Sequence, residues 1–395
     1  MTITDADIQR LVEGTAFTLS DEDKLRLKNK QAFIVKAVVL HNNPDLDGIA
    51  AYWLALRHPK VFIGIESAPI KFYSQEAPPD GRTAEEFEKD GWIAFDVWES
   101  RFDHHPHDKC PGLCATDLVA EFLGIADDLA LIDTLSYIRM HDLEGPIISS
   151  LTLRELGTSD DIVEKVKLLE NFSFPKLITS LRRRYHRHES KLIKEVCFIL
   201  EDIYMQQVYF WTVVQEEFKA KAEIRHVYTP QKAVKVAIIE SPIREVGSFS
   251  RTQQGGFCTV CIHRNTENGH VFVSGNLTSD QRIEIGKIWR VLEMNKRQVA
   301  AEYNLADLEK SKMDLCKNIY LPKNPIRGVY ICMNGGYKAT DIEPTVLTLD
   351  ELFDALTIAL RDDILPEACP KSHCLYNACP VYPFGLTRCR GIRQL

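Results

Sequence analysis

The chain is 395 residues long, 45% hydrophobic and 26% charged, which predicts a soluble globular protein of two or three domains. Its net charge of −8 argues against a protein that coats long nucleic acid non-specifically. No apolar stretch approaches a membrane span, and the start "MTITDADIQRLVEG" lacks a signal-peptide layout, so the expectation is a cytoplasmic protein with no membrane partner.

In chain order, residues 1–30 read as one or two short helices, with Ser20 as an N-cap. Strands are expected over 33–40, 61–65, 70–74 and 92–96, and helices around 48–57, 83–89 and 115–124. This alternation predicts an α/β domain with a parallel sheet, over residues 1–175. Residues 176–228 read as a helical linker, since the pattern from about 176 to 226 is long and helical. A smaller α/β domain follows at 229–365, with strands at 233–241, 255–264, 269–276 and 328–334 and helices at 280–303 and 349–361. A Cys-rich, Pro-punctuated tail closes the chain at 366–395.

The stretch "HNNPDLDG" leaves the first long apolar run and places His41, Asp45 and Asp47 within seven residues. Like-charged carboxylates two apart repel unless a cation lies between them. Asp96 ends another predicted strand, and the triplet Asp103-His104-His105 follows seven residues later. Asp142 comes after a further apolar run, with Asp133 as a competitor for the same role. His41, Asp45, Asp47, Asp96, His104 and Asp142 thus form a set of imidazoles and carboxylates on loops of one sheet, where ligand-bearing residues gather at strand carboxyl ends. Nitrogen and oxygen donors without thiolate suit Mn²⁺ or Mg²⁺, and six donors suit two ions sharing a carboxylate.

"HNNPDLDG", "AFD" and "FDHHPH" together resemble the DHH (Asp-His-His) phosphoesterase superfamily, which includes nanoRNases, RecJ exonucleases, cyclic-dinucleotide phosphodiesterases and family II pyrophosphatases. The resemblance implies that His41, Asp45 and Asp96 hold one ion, and Asp47, Asp96, His104 and Asp142 the other. It further implies that His105 contacts the substrate phosphate and that Asp103 orients the triplet by a hydrogen bond. The second domain would then be a DHHA1-like substrate-binding domain. Its Gly-rich mark, a run ending in His, is replaced here by Asn334-Gly335-Gly336, and Arg251 stands near Gly255-Gly256. Either segment can bring backbone N–H groups close to a phosphate, as a substrate-binding element.

Cys369, Cys374, Cys379 and Cys389 are spaced C-x4-C-x4-C-x9-C, which suits Zn²⁺ or an iron–sulfur cluster. Cys258 and Cys261 lie in a strand-like run where both suit the core. "LRRRYHRH" (181–188) reads as a solvated helix face. The expected activity is metal-dependent hydrolysis of short oligonucleotides or of cyclic or linear dinucleotides. Its rivals are a RecJ-like single-strand exonuclease and a regulatory protein that binds nucleotides or nucleic acid without cleaving them. A homodimer is compatible with these features.

Overall fold

The apolar run 33–40 forms two strands, not one, in the computed structural model, which describes residues 19–29, 31–74, 77–105, 111–145, 153, 155–297, 317–320, 330–335 and 341–361. By their internal contacts the residues fall into two units, Met1–Val208 and Tyr209–Leu395. The first begins with α1 (Asp21–Lys28), β1 (Phe33–Ile34), β2 (Ala37–His41), α2 (Leu46–Leu56), β3 (Phe62–Ile63) and β4 (Ile70–Tyr73). It continues with α3 (Ala84–Lys89), β5 (Trp92–Ala94), α4 (Ala115–Leu123), α5 (Ile132–Glu144), α6 (Asp160–Glu170), α7 (Phe174–Arg184) and α8 (Glu189–Tyr209).

Strand β1 pairs in parallel with β3, whereas β2 pairs in parallel with β4 on one side and β5 on the other. The break between β1 and β2 has a local cause. The backbone N–H groups of Lys36 and Ala37 both donate to the Gly91 carbonyl, at 2.7 and 3.3 Å. Gly91 is left-handed (φ 85), and a Cβ there would meet the Ile34 carbonyl oxygen at 3.0 Å.

Alternation along β2 then separates two apolar layers. Val38 and Leu40 pack with α2, α4, α5, α7 and α8, in a core that includes Ile49, Trp53, Val119, Leu135, Ile178 and Val196. Val39 faces the other way, with Phe87, Val97 and Trp98. Helix α2 is buried along Leu46–Ala55, as its apolar run from Ile49 requires. Its far end is braced to α8: Arg57 pairs with Glu201 and lies 3.9 Å over the Tyr204 ring, and Trp53 Nε1 donates to Glu201 at 3.1 Å.

The stretch expected to be one long helix or a helix pair is broken at Tyr185–His188, where Arg187 adopts φ 65. After α8 come a π-helical turn (Phe210–Val214) and α9 (Gln215–Lys221). From Glu223 the chain is no longer helical, contrary to the helical pattern read to 226. Glu223–Tyr228 is β6, an edge strand with only Val227 buried, so it carries no apolar run.

The second unit continues with β7 (Ala233–Glu240), α10 (Val246–Phe249), β8 (Val260–Arg264), β9 (Val271–Gly275), α11 (Ser279–Lys296), β10 (Ile319–Tyr320), β11 (Tyr330–Asn334) and α12 (Leu349–Leu360). The sheet order is β10-β11-β9-β8-β7-β6, and β7–β8 is its one parallel pair among the described residues. Val236 and Ile238 face α11 and α12, while Ala237 and Ile239 face Phe218 and Phe249. Cys258 and Cys261 are buried in that second layer, as packing residues. Among the described residues no helix is long and apolar enough to cross a membrane.

Candidate metal centre

Strand β2 delivers His41 at its carboxyl end. Asn43, left-handed at φ 57, turns the chain into Asp45, which caps α2 by accepting from the Gly48 N–H at 3.2 Å. Asp47 sits in the first turn of α2. On the neighbouring strand, β5 ends two residues before Asp96, whose backbone is also left-handed (φ 57). Trp98 and Glu99 share that region, at φ 68 and 49. Three such residues in four concentrate backbone strain, which tends to gather at functional sites. Cross-bonds hold the loop: the Asp96 N–H donates to the Phe102 carbonyl at 2.9 Å, and the Glu99 N–H to Asp103 Oδ2 at 2.7 Å.

The six residues singled out as ligands converge. His41 Nε2 lies 3.4 Å from Asp96 Oδ2 and 3.9 Å from Asp45 Oδ1. His104 Nε2 lies 3.3 Å from Asp142 Oδ2, 3.5 Å from Asp96 Oδ1 and 4.0 Å from Asp47 Oδ2. Two three-residue groups able to hold a metal ion result, His41/Asp45/Asp96 and Asp47/His104/Asp142. Asp96 also groups with His104 and His105, so it touches both sides. Asp142, not Asp133, enters the cluster. Asp133 lies in the first turn of α5 and is exposed, while Asp142 is near the other end of that helix.

Bonding and charge fit a cation. His41 Nδ1 donates to the Asn42 carbonyl at 2.9 Å, which leaves the lone pair of a neutral ring on Nε2. His41 Nε2, Asp96 Oδ1 and Asp142 Oδ2 are buried without a hydrogen-bond partner. Buried polar atoms are normally satisfied, so three orphans aimed into one space call for a shared positive charge. Burial pulls the His41 pKa down, but the Asp45 and Asp96 carboxylates outweigh it and raise it to about 10. Burial, then competing effects in which Asp45 and Asp96 oppose His104, pushes Asp142 up to about 6. Burial and the charges of Asp96 and Asp142 also push Asp47 up. The surplus of buried negative charge draws protons to acids and imidazoles alike. A divalent ion would replace those protons.

No protein-family model matches the chain, and no curated protein does.

The residues around the cluster were not legible as functional in the sequence. Asp47, 1% exposed, accepts from the Ala115 N–H at 2.7 Å, the Thr116 N–H at 2.8 Å and Thr116 Oγ1 at 2.6 Å. The two N–H groups are otherwise unpaired donors of the first turn of α4, so the helix end fixes the carboxylate and favours its charge. Arg182, from the arginine run read as a solvated face, donates to the carbonyls of Asn43 and Pro44 at 3.0 and 2.9 Å. Its neighbours Arg183, Arg184 and Arg187 are exposed.

In the second unit, Asn334 is fully buried. Its amide donates to the carbonyls of Asn318 and Glu343, at 2.9 and 2.8 Å, and accepts from the Thr345 N–H at 2.8 Å. It is a structural clamp whose side-chain polar atoms are spent within the fold. Gly335 lies so close to His270 that a Cβ would sit 2.5 Å from the ring. Arg251 donates to the Gly247 carbonyl, to Ser248 Oγ at 3.2 Å and to Ser274 Oγ at 3.4 Å. Gly336 and the tail cysteines Cys369, Cys374, Cys379 and Cys389, with the zinc or iron–sulfur expectation attached to them, lie outside the described residues.

Proposed function

We propose that the protein is a two-metal-ion phosphodiesterase of the DHH type, hydrolysing short oligonucleotides or cyclic or linear dinucleotides. The observation that supports this best is the position of Asp96, whose two oxygens face imidazoles on opposite sides, His41 at 3.4 Å and His104 at 3.5 Å. In this reading His41, Asp45 and Asp96 hold one Mn²⁺ or Mg²⁺, and Asp47, Asp96, His104 and Asp142 hold a second. When bound, such ions supply positive charge at the phosphoryl oxygens and activate the attacking water.

The remaining residues prepare that chemistry. Asp103 orients the His105 ring by accepting from Nδ1–H at 3.0 Å, which turns Nε2 outward, where, when it carries a proton, it can donate to a phosphate oxygen. Helix α4 holds Asp47 rigid before any ion arrives, which lowers the reorganisation needed on loading. The chain's charge of −8 gives little long-range attraction to a polyanion, which favours short substrates over long strands. The test is a panel of dinucleotides, short oligomers, a long single strand and pyrophosphate, each assayed with Mn²⁺ and with Mg²⁺. Efficient cleavage of dinucleotides and short oligomers that falls steeply with length is expected. Processive degradation of the long strand, or no metal-dependent cleavage of any substrate, would overturn the assignment.

A further inference from the structure

Asp142 must reach His104 from a helix with few anchors. Among its described side chains, α5 buries only Leu135 and Ile138. With half-buried Tyr137 on the same core, these contacts hold the helix against its neighbours, but apolar packing alone sets axial register weakly. A slip of one residue moves a side chain by about 1.5 Å along the axis and turns it by roughly 100°. The 3.3 Å approach of Asp142 Oδ2 to His104 Nε2 would not survive that.

A polar contact supplies the register. Arg139, three residues before Asp142 and on the same side of α5, makes a two-pronged pair with Asp117: Nε to Oδ2 and Nη2 to Oδ1, each at 2.7 Å. Asp117 is 2% exposed and is itself fixed, because Oδ2 accepts from the Cys114 N–H at 3.1 Å and closes the first turn of α4. The two residues before it, Ala115 and Thr116, are those that hold Asp47. Three consecutive residues of α4 therefore fix one carboxylate of the cluster directly and a second through Arg139.

We infer that Asp117 and Arg139 are positioning residues for the Asp47/His104/Asp142 group, setting the distance between two acids that come from different helices. This rests on the metal reading given above. The planar guanidinium matters as much as its charge, since only a fork can grip both carboxylate oxygens and fix an angle.

The test is a Mn²⁺ titration of the full chain, followed by calorimetry and electron paramagnetic resonance, for wild type, Arg139→Gln and Arg139→Lys. Arg139 is 40% exposed, so both replacements can be solvated without a buried void. The wild type should take up two ions. In Arg139→Gln one should bind as before, while the other weakens by roughly 10–100-fold, the usual effect of losing a residue that orients a ligand. Arg139→Lys should fall between, keeping the charge and losing the fork. A general loss of structure would weaken both ions together, and that result overturns the inference, as does unchanged binding of both ions in Arg139→Gln. A wild type that binds no divalent ion would instead overturn the metal reading, and this inference with it.

Discussion

Asp103 Oδ1 accepts two hydrogen bonds from His105, one from the backbone N–H and one from Nδ1, both at 3.0 Å. One oxygen thus sets both the backbone turn and the ring of the same residue. Asp103→Asn keeps the shape but removes the negative charge and weakens the acceptor that orients the ring. Turnover should fall by roughly 10–100-fold, with Mn²⁺ affinity much less affected. Steady-state kinetics beside a metal titration checks this; equal losses in both would show that Asp103 acts on the ions, not on His105.

The two acids of α5 give a clean comparison. Asp142→Asn removes a carboxylate that lies 3.3 Å from His104, whereas Asp133 is exposed in the first turn. Mn²⁺ affinity should drop at least tenfold in Asp142→Asn and stay within twofold of wild type in Asp133→Asn. Calorimetric titration of both variants decides it.

Metal binding should displace protons, and more of them in acid. At pH 8 the metal-free His41, with a pKa of about 10, carries a proton that an ion must expel. Near pH 5.5 Asp142, at about 6, carries one as well. Affinity should therefore fall with pH, by roughly tenfold per unit for each proton displaced. Both folded-state values lie above the ordinary ones, 6.5 for His41 and 3.8 for Asp142. Their contribution to metal-free stability is thus fully present below those ordinary values and is lost as pH rises through about 6 for Asp142 and about 10 for His41. The rise in Tm on adding Mn²⁺ should accordingly be larger at pH 8 than at pH 5.5. Calorimetry in buffers of different ionisation enthalpy would count the protons, and a pH-independent affinity would contradict the charge balance described for the cluster.

Arg182 is the tether of the His41–Asp47 loop. Arg182→Met removes both donations to the carbonyls of Asn43 and Pro44 and should cost roughly 1–3 kcal/mol in urea unfolding. Arg183→Met, altering an exposed neighbour, should cost less than about 0.5 kcal/mol. Equal losses would return the arginine run to a merely solvated face.

The contrast among these residues shows what a sequence can carry. His41, Asp45, Asp47 and Asp96 were legible because donor type and strand-end position are written within a few residues. The choice of Asp142 over Asp133 was not, since it depends on how α5 is seated. Thr116, Asp117, Arg139 and Arg182 were invisible for a related reason: their contacts join positions from 22 to 139 residues apart. The core strands followed from their apolar, β-branched runs, whereas β6 was missed because an edge strand with one buried side chain leaves no such run.

The walls of the Asp/His cluster are unequal. Asp45 is 52% exposed, while Asp47 and His104, on the other side of Asp96, are 1% and 2% exposed. If both groups are filled, traffic through the centre has a direction. The His41/Asp45 position would exchange with bulk solution across one open carboxylate, while the other position, with Asp142 at 16% exposure, is the more enclosed. A chelator would then strip the protein in two kinetic phases, the outer ion leaving quickly and the inner one only after the gate at Asp45 has emptied. Reloading with a different metal would yield, for a time, a mixed pair with the newcomer outermost.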